Sequence, residues 1–189
     1  MRVVLAAALA AAVSVAVPSA QSNMAKAERF SAFAIDVSNM TSRARTSPVD
    51  IVISRWSSDA ERDQLLTILQ DKGQDALLSA VQKLPVVGYI NTPGSLRYDL
   101  HFARQSAEAE GGRSVFLMTD RYVGAWEASH RPRTIDYPFT LLKLQLDKEG
   151  NGEGKATIYT KITQAKDGSI ELENFTNQPV MLNLVKKVG

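Results

Sequence analysis

SLRYDLHFAR, residues 95–104, carries the clearest alternation in the chain. Leu96, Tyr98, Leu100 and Phe102 fall on one face of an extended strand, and Arg97, Asp99, His101 and Ala103 on the other. A strand with one apolar and one polar face belongs to an antiparallel sheet covered on one side. Turn residues bound it: Thr92-Pro93-Gly94 before, and the EAEGG run at 108–112 after.

Outward from this strand the same pattern recurs. Residues 30–38 and 49–56 read as two strands of a hairpin, the first apolar on both faces. Residues 113–120, 139–147, 154–163, 169–175 and 179–188 read as further strands, with AKDG at 165–168 a tight turn. Residues 58–84 change period. Ser58 and Glu61 form a capping box, and Leu65, Leu66, Ile68 and Leu69 have helical spacing up to Gly73. A second short helix is expected from Asp75 to about Lys83, ended by Pro85. About nine strands and an inserted helix pair define an α+β, mostly β fold. The architecture expected is a single antiparallel β-sandwich or half-open barrel spanning residues 29–189.

The first twenty residues, MRVVLAAALAAAVSVAVPSA, read as a secretory signal peptide: Arg2, an apolar run from Val3 to Val17, then small residues. Fifteen residues of helix reach only about 22 Å, short of a hydrocarbon core of about 30 Å. Cleavage is expected after Ser19 or Ala20, leaving residues 21–28 as a flexible leader and no membrane span. The chain has no cysteine, so neither disulfide nor thiol chemistry is open to it. About 165 residues then remain, enough for one domain with an ordinary core.

Lys and Arg number 22 against 20 acidic residues, interspersed, with no basic block longer than Lys186-Lys187. Nucleic-acid binding needs a concentrated basic face, so it is not expected. Phosphate-binding glycine motifs are missing, and no cofactor is expected.

Candidate sites are few. Asp99 and His101 share a strand face, and with His130 they would supply a general base for a hydrolase. The alternative is a solvated strand face, on which His101→Ala would fold normally. The segment WEASHRPRTIDYPF, from Trp126, is richest in polar and aromatic groups. Trp126 and Tyr137 could stack on a ring, and His130, Arg131 and Arg133 could grip an anion. Against this stands a simple anchoring role on the sheet. In DKEGNGEG, residues 147–154, the side chains of Asp147, Glu149 and Asn151 match the first half of a calcium loop. Position 12 of that loop would be Ile158, and position 9 is Lys155. A hairpin turn is the better reading, its three glycines allowing positive φ.

Three stretches resemble a group of uncharacterised bacterial exported proteins: ERFSAFAIDVSN, KGQDALLSAVQKLPVVGYINTPGSLRYDLHFAR and PRTIDYPFTLLKLQLDKEGNGEGK. The resemblance implies a bacterial origin and a periplasmic or extracellular home, and carries over no catalytic residue. Together these readings lead to a non-catalytic exported domain that binds a small ligand or an envelope partner. The alternatives are the hydrolase and a purely structural envelope protein. A cavity lined by Leu96, Tyr98, Leu100 and Phe102 would favour a ligand. Tight packing there would favour a partner or a structural role.

Overall fold

The computed structural model describes residues 27–36, 45–94, 97–121, 136–165, 167–174 and 178–188. The expected signal peptide and most of the leader lie outside these residues. Ten strands and one α-helix follow in the order β1 (Glu28–Asp36), β2 (Arg45–Ile53), α1 (Asp59–Val81), β3 (Gly88–Asn91), β4 (Tyr98–Leu100), β5 (Phe102–Ala107), β6 (Arg113–Thr119), β7 (Phe139–Leu146), β8 (Asn151–Gln164), β9 (Ile170–Asn174) and β10 (Val180–Lys187). The mostly β, α+β expectation holds. Every pairing is antiparallel, in the order β4-β3-β2-β1-β10-β8-β7-β6-β5, with β9 attached to β8. Only His101 separates β4 from β5, so the two ends of that order are one run of chain. The sheet therefore curls into a nearly closed barrel, nearer to the half-open barrel than to two stacked sheets.

SLRYDLHFAR does not run as one regular strand. Up to Leu100 it pairs with β3, and the Val87 N–H donates to the Leu100 carbonyl at 2.8 Å. After the bend the His101 N–H donates to Met118 at 3.1 Å, and Phe102 starts the pairing with β6. The bend turns the side chains over. Tyr98, Leu100 and Ala103 belong to the barrel interior, whereas Phe102 packs outside it beneath α1. Strict alternation put Phe102 with Leu100; the bend at His101 overrides it. Leu96 lies outside the described residues.

The interior is filled by residues of every strand except β9, with Ile51, Leu100, Val115, Leu117 and Leu144 all at 0% exposure. Each such side chain contributes about 2 kcal/mol of burial. A second cluster forms between the outer face of the sheet and α1, from Leu65, Leu69, Leu77 and Val81 against Phe139 and Ile162. Ser58 caps α1 with the capping box read from the sequence. The expected helix pair is a single helix with a kink at Gly73 (φ 77°, ψ −171°). Gln74, next to the kink, accepts the Ile162 N–H at 2.8 Å and donates to the Asp136 carbonyl at 3.0 Å. Those two bonds tie the kink to the sheet.

One end of the barrel is closed by charge. Glu28 was expected in the flexible leader, but it opens β1. Its carboxylate meets Arg113 Nη2 at 2.5 Å and Nη1 at 3.1 Å, and Lys187 Nζ at 3.2 Å. The Arg113 guanidinium also donates to Gln105 at 2.6 Å and lies 5.7 Å from the Phe30 ring centroid. Burial acts to raise the Glu28 pKa, but the hydrogen bonds from Arg113 and Lys187 outweigh it and hold the carboxyl below its usual range.

Candidate functional site

His101 is not on a solvated face. Its side chain is 12% exposed, because the bend carries the ring under the chain that leaves α1. Nδ1 donates to the Leu84 carbonyl at 3.1 Å, and Nε2 faces Asp120 Oδ1 at 3.5 Å without a hydrogen bond between them. Asp99 is not its partner; that carboxylate lies 3.5 Å from Arg97. The Arg97 guanidinium in turn covers the Tyr89 ring at 4.5 Å. A general base needs a ring nitrogen aimed at a substrate proton. Both nitrogens of His101 are turned towards the chain itself. His130 lies outside the described residues.

Of the aromatic and basic segment, Trp126, His130, Arg131 and Arg133 also fall outside the described residues. Tyr137 is described. Its hydroxyl donates to Glu173 of β9 at 2.7 Å, and this bond pushes the phenol above its ordinary pKa.

The 147–154 stretch is a hairpin turn. The Asp147 carboxylate accepts the Asn151 N–H at 2.8 Å, the Asp147 N–H donates to the Asn151 carbonyl at 2.8 Å, and Gly150 sits at φ 85°. Asp147 thus holds its own turn, while Glu149 lies by Lys148 at 4.0 Å. No metal-holding group of His, Asp and Glu forms among the described residues. Of the three glycines only Gly150 takes positive φ. Gly152 and Gly154 serve close approach instead: a Cβ on Gly152 would lie 1.9 Å from the Gln145 carbonyl oxygen. Glu108, Glu110, Asp147 and Glu149 help line an open cleft of about 680 Å³ between this turn and the β5–β6 turn.

β8 and β9 form the hairpin expected around the AKDG turn, but nothing in the sequence marks it as a site. β8 is the longest strand at 14 residues. Its first half pairs with β10 inside the barrel wall, and its second half, Thr160–Gln164, pairs with β9. A bulge separates the halves at Tyr159 (φ 58°), which turns Ile162 outward onto the helix cluster. Gly168 (φ 85°) and the bond from the Ala165 N–H to the Ser169 carbonyl, at 2.9 Å, close the hairpin. Thr160 donates to Asn174 Oδ1 at 2.9 Å, and Lys161 pairs with Glu173 at 3.8 Å, fixing the register. Among the described residues β9 pairs with β8 alone, and no other described strand lies along its far edge. On it Ile170 is 42% and Leu172 50% exposed. The signal was present in SIELENF: two apolar residues alternating with two glutamates, a pattern that says strand but not which neighbour is missing.

No known family model matches this chain, and neither a curated protein nor a solved structure is significantly similar to it.

Proposed function

We propose that this chain is an exported, non-catalytic bacterial domain that docks a protein partner, in the periplasm or outside the cell. The observation that carries the docking reading is the edge of β9 that no other described strand pairs with, where Ile170 and Leu172 are half-exposed. The filled interior supports it as well, since Tyr98 and Leu100 are packed within the core and leave no room for a carried molecule. His101, with Nδ1 bound to the Leu84 carbonyl and Nε2 turned to Asp120, gives no support to the hydrolase. Export rests on the composition of residues 1–20, and bacterial kinship on the three stretches quoted above.

The test is site-specific photo-crosslinking in cells that make the chain. A crosslinking residue replaces Leu172 in one variant and Phe33, exposed on β1, in another. One defined protein adduct from position 172 and none from 33 is the result expected. Absence of any adduct at 172, or equal capture at both, refutes docking through β9.

A further inference from the structure

We propose that β9 accepts an extended segment of another protein whose side chains alternate between basic and apolar, laid down as an additional antiparallel strand along Ile170–Asn174. The inference deepens the docking reading and rests on it.

The backbone supplies the first requirement. β9 has one strand neighbour among the described residues, so alternate N–H and C=O groups on its far side can pair with an incoming strand. The side chains supply the specificity, because the two faces of β9 differ sharply. Leu172 stands opposite Ile162, and Ile162 is buried against α1. An apolar side chain placed beside Leu172 extends that cluster by one strand. The other face carries Glu171 and Glu173. Glu173 is already oriented, by the Tyr137 hydroxyl at 2.7 Å and Lys161 at 3.8 Å. Glu171 is exposed and has no ion pair among the described residues. A lysine or arginine on the incoming strand would find Glu171 directly across, the favourable cross-strand arrangement.

The same glutamates reject a second copy of this chain. Antiparallel self-pairing centred on Leu172 sets Glu171 of each copy against Glu173 of the other, two like-charge pairs directly opposed. The edge therefore discriminates: acidic side chains bar the protein's own edge while admitting a basic one.

The probe is a short blocked peptide alternating valine with lysine, compared with the same peptide carrying glutamate for lysine. Backbone amide signals of Ile170–Asn174 are followed by NMR, with amide exchange as a second readout and sedimentation for the oligomeric state. The expected result is a monomeric protein that binds the lysine peptide at β9, slowing exchange there. Binding weakens roughly tenfold in Glu171→Lys and in high salt. Glu171→Gln, which keeps the shape, should show an intermediate loss, so a folding defect in the first variant does not decide the matter. Signals that move elsewhere, no binding at millimolar peptide, equal affinity for both peptides, or self-association through β9 would each overturn the proposal. If the peptide fails while the position-172 adduct persists, the partner chemistry is wrong and docking stands. If both fail, docking itself falls.

Discussion

Replacing Glu28 by Gln tests whether charge closes the barrel. Glu28 and Arg113 side chains are 16% and 22% exposed, low enough that water does not screen the pair away, and their contact is two-pronged. Lys187, at 39%, adds less. A charge-assisted hydrogen bond of this kind is worth about 1.5–3 kcal/mol, so Glu28→Gln should cost about 2 kcal/mol near neutral pH. For a domain of this size that lowers Tm by roughly 4–8 °C. The pH dependence gives the sharper check. The folded pKa of Glu28 lies below its reference value of 4.5. The stability it supplies is therefore fully present above that value and is lost as pH falls through the lowered folded pKa. Urea denaturation followed by circular dichroism, repeated from neutral to acid pH, should show the gap between wild type and Glu28→Gln narrowing below about pH 4.5. An Arg113→Met variant and the double variant complete a cycle, with a coupling of about 1 kcal/mol or more expected. A gap that stays constant into acid, or strictly additive variants, would refute the ionic closure.

His101→Ala should unfold more easily by about 1–2 kcal/mol, because it abandons the Leu84 carbonyl and the Asp120 carboxylate in a mostly buried site; thermal denaturation measures it, and a neutral change would restore the solvated-face reading. Gly152→Ala forces a Cβ to within 1.9 Å of a β7 carbonyl oxygen, so β7 and β8 must separate there; a loss of about 3 kcal/mol and faster amide exchange in β7 are expected. Glu61 caps α1 and pairs with Arg55, which pull its pKa down to about 2 against opposing burial. Glu61→Gln should cost about 1 kcal/mol, allowing for the 38% exposure of Arg55. That difference is full above the ordinary value of 4.5 and disappears as acid denaturation is followed down through about pH 2.

Local signals were legible because their causes are local. The Ser58–Glu61 box and the Asp147 turn are each decided by residues that touch within a few positions of one another, and the β1–β2 hairpin pairs successive stretches of chain. What could not be read depends on distant partners. The bend at His101 leaves the alternation of letters intact while turning Phe102 over, because closure of the barrel, not the strand itself, demands it. Tyr159 and Leu184 take positive φ without being glycine, at bulges where β8 and β10 change pairing. Neither residue type announces such a conformation. Glu28 looked like part of a polar leader because its cation, Arg113, is 85 positions away. For the site, SIELENF was readable as a strand, but which described strands flank it is decided by the whole sheet. Of the segment read as the richest in binding groups, Tyr137 alone among the named residues is described, and it serves to hold Glu173.

The wall of the barrel is joined between β1 and β10, where the Val188 N–H reaches the Arg29 carbonyl at 2.8 Å. β1 thus waits for β10. While the chain is being synthesised, β1 can find β2 at once, but its other flank stays bare until β10 emerges. A chain halted short of residue 180 would carry bare flanks on both β1 and β8, the kind of surface that recruits holding chaperones and proteases. Arrival of β10 covers both flanks at once, so the chain should shed such attention abruptly rather than gradually.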